Sequence, residues 1–96
     1  MGEGFFNYKN LTATGISTVS ISQAGLLHGV IVNNKSTAAA LMTIYDSTTT
    51  VAAPQIGIVD LAAPAMDYLY DIEFKNGLTV DVGSAATPIN ITIMYR

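Results

Sequence analysis

The sequence contains no cysteine and only one histidine, His28, and these two absences exclude several kinds of site. Without cysteine no disulfide can stabilise the fold. A zinc site takes three or four His, Cys or carboxylate ligands, which this chain does not offer in any recognisable spacing. The acidic residues are spread along the chain without the spacing of a calcium-binding loop. We therefore expect no metal, no cofactor and no catalytic residue, and we predict that the protein is not an enzyme.

Charged residues are scarce as well: they make up 11% of the chain, where typical soluble domains carry roughly 25%. The basic residues are four, namely Lys9, Lys35, Lys75 and Arg96. Nucleic-acid binding needs several Lys and Arg side chains on one face, so four scattered cations argue against DNA or RNA as a partner. A neutral surface of small polar residues tends to associate, which favours a protein that binds copies of itself or a larger assembly.

Long apolar runs are also missing, although 50% of the residues are hydrophobic. No segment reaches the 18 or so consecutive apolar residues that span a bilayer, and Glu3 lies where a signal peptide needs positive charge. We expect no membrane association, and a chain that is made in the cytoplasm and is not processed. Ninety-six residues fit one domain that buries about 64% of its surface. With so thin a margin, contacts with other subunits would add useful stability.

The clearest local pattern runs from Met66 to Lys75, where apolar and aromatic residues alternate with mostly charged ones. A period of two predicts a half-buried β-strand. The dipeptide Asn76-Gly77 follows and favours a tight hairpin turn, so we predict that residues 66–75 pair directly with a second strand at Leu78–Val82.

Further strands are predicted from β-branched, alternating segments bounded by turn residues. They are 14–21, 25–32, 41–46, 55–61 and 89–95, with an eighth strand or an arm around Phe5–Tyr8. A short helical turn over Ser36–Met42 is the alternative for that segment, because Ser36 could cap it and three alanines follow. Seven or eight short strands predict an all-β, single-domain antiparallel β-sandwich or a jelly-roll-like fold. We expect residues 1–10 to form an N-terminal arm or edge strand and residues 11–96 to form the domain.

Aromatic residues supply the candidate binding sites. Phe5, Phe6 and Tyr8 lie near the N-terminus, where exposed aromatic side chains could anchor the protein in a pocket of a partner. Tyr68, Tyr70 and Phe74 share one strand face, which is typical of core packing and less often of a sugar-stacking platform. Alternation places His28 on the same side as Leu26, Val30 and Val32, as a hydrogen-bonded or interface histidine and not as a catalytic base.

Several segments, taken in order, resemble short structural proteins of tailed bacteriophage virions. They are Thr14–Ile21, Gly25–Asn34, Ile44–Asp46, Tyr70–Leu78 and Asn90–Arg96. Within that group the chain is most similar to the small β-sandwich proteins called decoration or cement proteins. The resemblance implies a subunit on the outer surface of the virion capsid, commonly a homotrimer, that binds the major capsid protein and stabilises the shell by binding it.

Two alternatives remain open from the sequence. One is a tail, neck or head-fibre component of the same kind of particle. The other is a carbohydrate-binding or adhesion module that uses the face of Tyr68 and Tyr70. Aromatic side chains open to solvent would favour the adhesion module, and buried ones would favour the structural proteins.

Overall fold

The computed structural model describes residues 6–34, 36–49, 54–63, 67–83 and 89–96, and these ranges contain eight β-strands and no helix. The strands are β1 (Asn7–Leu11), β2 (Gly15–Ser20), β3 (Gly25–Asn34), β4 (Leu41–Tyr45), β5 (Gln55–Asp60), β6 (Asp67–Phe74), β7 (Leu78–Val82) and β8 (Asn90–Tyr95). They form two four-stranded antiparallel sheets. The predicted all-β sandwich is therefore confirmed.

The strand order is that of a jelly roll. Sheet A has the order β1-β8-β3-β6 and sheet B the order β2-β7-β4-β5. Each strand thus pairs with the strand equally far from the β4–β5 connection, giving β1 with β8, β2 with β7, β3 with β6 and β4 with β5. The topology is that of one long antiparallel ribbon that is rolled up so that successive strand pairs lie alternately in the two sheets.

The predicted hairpin at Asn76-Gly77 is wrong, because β6 lies in sheet A and β7 lies in sheet B. A tight type I′ turn needs a positive φ at both central residues. Only Gly77 has one, with a φ of 134°, while Asn76 does not. The dipeptide therefore forms a corner that carries the chain from one sheet to the other.

Asp46, directly after β4, holds this corner in place. Its Oδ1 accepts hydrogen bonds from the backbone N–H groups of Lys75 at 2.9 Å and Asn76 at 2.8 Å. Gly77 packs closely against the same loop, since a Cβ at this position would lie 2.8 Å from Thr48 Cγ2. Thr79 donates a further hydrogen bond to the Ser47 carbonyl at 2.7 Å. The loop after β4 is thereby bonded to the connection between β6 and β7.

The core fills the space between the sheets with the inward side chains of the alternating strands. The buried apolar residues of sheet A include Leu27, Val30, Val32, Phe74, Ile91 and Ile93, and those of sheet B include Met42, Ile44, Val59, Leu78, Val80 and Val82. Tyr68 and Tyr70 are half-buried and pack against this core, as the strand pattern predicted for them. Burial raises the pKa of the Tyr70 hydroxyl above its usual value, and the neighbouring Tyr68 raises it further.

The segment between β3 and β4 forms no helix in its described residues. Ser36 is buried there, and its hydroxyl accepts from the Ala38 N–H and donates to the Ala38 carbonyl. A serine that bonds its own backbone two residues on favours a turn over a helix. This local bonding explains why the three alanines do not propagate a helical turn.

We predict that Asp46→Ala lowers the free energy of unfolding by about 1–3 kcal/mol, because two corner N–H groups lose their acceptor. Urea denaturation followed by circular dichroism measures the change. Asp60→Ala is the control, since Asp60 Oδ1 accepts a single local hydrogen bond, from Ala62 N–H. Equal losses in the two variants would show that the corner does not depend on Asp46.

Candidate functional site

The outer face of sheet A collects exposed aromatic and apolar side chains with few charges. Because β8 sends Ile91 and Ile93 into the core, its alternate residues Thr92 and Met94 point outward. The register then brings side chains from four strands into rows across this face. We call it the sheet A outer face, and its members are Tyr8 and Asn10 on β1, Asn90, Thr92 and Met94 on β8, Gly29, Ile31 and Asn33 on β3, and Asp67 and Leu69 on β6.

The central row of this face is apolar. Tyr8 lies opposite Met94, Met94 opposite Gly29, and Gly29 opposite Leu69. Tyr8 and Leu69 are each 72% exposed, whereas Met94 is half-buried. Gly29 leaves the row without a side chain between Met94 and Leu69, and a Cβ there would lie 2.8 Å from the Tyr68 carbonyl oxygen. Two large exposed side chains thus lie on either side of Met94 and Gly29 in this row.

One end of the face carries a cluster of aromatic and charged groups, which we call the Phe6 cluster. The Phe6 ring stacks on the His28 imidazole with a centroid distance of 4.2 Å and an interplanar angle of 17°. The Arg96 guanidinium carbon lies 5.1 Å from the centre of the Phe6 ring. His28 Nδ1 donates to Asp71 Oδ1 at 2.6 Å. These contacts hold Phe6 in one place while leaving 37% of it exposed.

Two β-bulges put this cluster on the outer face. Between Leu27 and Gly29, β3 has one more residue than β8, and β6 has one more than β3. The extra residue in β3 turns His28 away from the core, so the prediction that it shares a side with Val30 and Val32 is wrong. Asp71 lies in the bulge of β6 with a φ of 49°, a left-handed conformation that Asp tolerates better than most residues.

The other end of the face is a row of side-chain amides. Asn90 Oδ1 accepts a hydrogen bond from Asn10 Nδ2 at 2.6 Å and another from Asn33 Nδ2 at 3.1 Å. Asn33 Nδ2 also donates to Thr92 Oγ1 at 2.9 Å. These side chains come from three neighbouring strands and fix one another in orientation. Together they form a preorganised and uncharged polar surface.

Beside the Phe6 cluster lies an open depression of about 400 Å³. It is lined by Ala24, Gly25, Leu26, Glu73 and Arg96. Arg96 is fixed there by its backbone, which exchanges hydrogen bonds with Leu26 at 2.6 and 2.9 Å. The depression therefore continues the outer face toward the end of the sandwich.

The structure places the predicted binding residues as follows. Phe6 and Tyr8 both lie on the sheet A outer face and are exposed, while Phe5 lies outside the described residues. Leu69, Met94 and the amide row were not singled out from the sequence. Alternation along β6 and β8 already placed Leu69 and Met94 on the side opposite the core residues. The sequence alone could not show that these two strands belong to the same sheet.

Among the residues that the structure describes, no three His, Asp or Glu side chains converge as metal ligands. The same residues contain no helix long and apolar enough to cross a membrane.

We predict that Asp71→Val lowers the free energy of unfolding by about 1–2 kcal/mol, because a β-branched residue is strained at a φ of 49°. Asp71→Asn should cost less, since Asn tolerates this conformation and can keep the bond to His28. Thermal unfolding of the two variants beside the wild type measures the difference. Equal melting temperatures for Val and Asn at this position would contradict the bulge geometry.

No protein-family model matches the chain, and none of the curated protein sequences compared with it matches either.

Proposed function

We propose that this protein is a structural subunit that attaches to a large assembly through the sheet A outer face. The observation that carries the proposal is the central row, in which Tyr8 and Leu69 are each 72% exposed on one side of a well-packed sheet. Exposed aromatic and apolar groups at the centre of a neutral surface are the usual anchors of protein interfaces. Phe6, held by His28 and Arg96, extends the row with a further ordered aromatic ring.

The assembly we propose is the head of a tailed bacteriophage. The subunit would act as a decoration or cement protein that binds the major capsid protein and other copies of itself on the capsid surface. The resemblance of the sequence to such proteins supports this, as does the jelly-roll fold, which viral capsid proteins use. The fold supports it by analogy only, because one fold serves many functions. Attachment to a tail, neck or head fibre would use the same surface.

The low charge content suits this role. Binding to the assembled shell but not to free capsid subunits would stabilise the shell by the binding free energy. Repeated attachment over the particle would let weak individual contacts add up to firm binding. No bond needs to be made or broken, so the role requires no catalytic residue.

The test is co-sedimentation of the purified protein with phage heads that lack it. We expect Tyr8→Ala or Leu69→Lys to weaken binding by about 30-fold or more, the effect of losing an interface hot spot. Ile58→Lys is the matched control, because Ile58 is an apolar residue, 53% exposed, on the opposite sheet. Loaded heads should also resist heat better than bare heads.

The proposal fails if wild-type protein does not pellet with heads, or if Ile58→Lys weakens binding as much as Leu69→Lys does. Binding to isolated tails in place of heads would move the subunit to the tail or neck. Each variant is first checked for an unchanged circular dichroism spectrum, so that loss of binding is not loss of fold.

A second candidate function is carbohydrate binding, which we propose at Tyr8 and not at Tyr68 and Tyr70. Tyr68 and Tyr70 pack against the core, which argues against the platform first considered. Tyr8 is the most exposed aromatic side chain among the described residues, and it lies two residues from Asn10 on the same face of β1. That spacing is about 6.8 Å, close to the size of one sugar ring. A sugar stacked on Tyr8 would therefore place hydroxyl groups over the amide row, and lectin domains also use the jelly-roll fold.

We predict that, if this second function holds, a glycan array will show binding that both Tyr8→Ala and Asn90→Ala abolish. Asn90→Ala removes the shared acceptor of the amide row and leaves the apolar row intact. Attachment to heads depends on Tyr8 but not strongly on Asn90, so the two variants separate the functions. Absence of glycan binding by the wild-type protein rejects this candidate.

A further inference from the structure

The four edge strands of the sandwich are protected to different degrees. An edge strand presents unpaired backbone N–H and C=O groups, and proteins that stay monomeric usually protect such edges with charge, proline, bulges or covering side chains. Sheet A ends in β1 and β6, and sheet B ends in β2 and β5. Three of these edges carry at least one such protection.

The edges of sheet A are charged. On β6 the exposed acids Asp67, Asp71 and Glu73 line the strand, and the bulge at Asp71 interrupts its regular geometry. On β1 the register places Lys9 opposite Ile93, on the core-facing side of the edge strand. An inward-pointing charge on an edge strand is a known protection against pairing.

The β5 edge is partly covered by tyrosines from β6. The Tyr68 hydroxyl lies 3.4 Å from the Asp60 carbonyl oxygen and donates to it. A Cβ on Gly57 would lie 3.0 Å from the Tyr70 ring, so this ring packs directly over the strand. Asp60 adds a charge at the end of β5.

The β2 edge carries no charged residue and no proline. The sequence from Asn10 to Asn34 contains no Asp, Glu, Lys, Arg or Pro, and β2 lies within it. Among the described residues, no backbone group outside β7 hydrogen-bonds to Gly15–Ser20. Ile16 is 61% exposed, and Thr18 beside it on the same face is exposed too. A bulge occurs only toward the end of the strand, between Thr18 and Ser20.

We infer that β2 is the edge through which two copies of this chain pair, joining their sheets B into one continuous eight-stranded sheet. The inference rests on the part of the proposed function in which copies meet each other, and not on what the sheet A outer face binds. Antiparallel pairing about a two-fold axis places a strand opposite itself, so charges on an edge strand meet like charges. Such pairing would bring the acids of β6 close to one another, whereas β2 has no charge to repel its own copy.

The parity of β2 fixes the register. Directly opposite residues in an antiparallel pair point to the same side of the sheet. Ile16 and Thr18 face outward opposite Asp81 and Thr79, while Ser17 faces inward opposite Val80. The two-fold axis must therefore pass through a residue and not between two. With the axis at Ser17, the two copies of β2 overlap over the longest stretch that ends at the bulge. This register places Ile16 of one copy opposite Thr18 of the other. This is a favourable pair of β-branched side chains.

Pairing of two six-residue strands forms a small interface. Interfaces that bury less than about 1,200 Å² in total are typical of transient contacts. We expect a dimer that appears only as the protein concentration rises. On a particle, where copies are held close together, the same contact becomes intramolecular and is strengthened accordingly.

The experiment measures the solution mass by light scattering across a concentration series, without any phage heads present. The wild type should shift from monomer to dimer. Ile16→Lys with Thr18→Lys should stay monomeric, because the register sets lysine against lysine. Ile16→Lys with Thr18→Glu should dimerise again, because the same register then sets lysine against glutamate. Tyr8→Ala should dimerise like the wild type.

Hydrogen exchange of the unmodified protein gives an independent measurement. Protection of the amides of Gly15–Ser20 should rise with concentration, while that of Gln55–Asp60 stays constant. A wild type that is monomeric throughout overturns the inference, as does an oligomer unaffected by the lysine pair or a lysine–glutamate variant that stays monomeric. A wild type that binds heads but stays monomeric would reject only this contact, and a wild type that dimerises but does not bind heads would reject only the proposed attachment.

Discussion

Pairing between strands that are far apart in the sequence is the constraint on which the rest of this structure depends. The first described strand, β1, pairs with the last, β8, and each inner rung repeats the arrangement up to the β4–β5 connection. Because consecutive strands mostly lie in different sheets, almost none of them is stabilised by its neighbour in sequence. The sheets are held together by inward side chains such as Leu27, Phe74 and Ile44. With no disulfide to help, this packing must supply most of the stability.

The Phe6 cluster at one end of the candidate binding surface depends on irregularities in that strand pairing. Strict alternation would have sent His28 into the core, where an imidazole needs a buried partner. The bulges in β3 and β6 turn His28 and Asp71 outward together, and the pair then supports Phe6. A hydrogen bond this exposed contributes little stability by itself. Its effect is geometric, since it fixes the imidazole on which the phenylalanine stacks.

The sequence predicted the parts of this fold that are local. Strand patterns and turn residues located seven strands to within a few residues, while residues 5–8 were left open as a strand or an arm and β1 spans Asn7–Leu11. Alternation also separated Val80 and Ile91 from their polar neighbours, because it is a property of each strand alone. The sequence-based prediction failed at Asn76-Gly77, because a tight turn and a corner between two sheets use the same residues. The hydrogen-bond acceptor that decides between them, Asp46, lies about thirty residues earlier. The prediction failed at His28 because a bulge is defined only against a partner strand. Tyr8 was found as a candidate, but Leu69 and the amide row required the sheet order.

The distribution of charge links the fold to the proposed functions. Seven acids and four basic residues cannot protect two sheet faces and four edges of a jelly roll. Among the edges, the charges are concentrated on β1 and β6, which border the face that carries Tyr8 and Leu69. Charges at the border of an apolar face discourage sheet A from pairing with further strands while leaving its centre open to a partner. The β2 edge of sheet B lacks such charges, so the surfaces that a partner and a second copy can reach lie on different sheets. The two associations can then occur at once, as the proposed function requires.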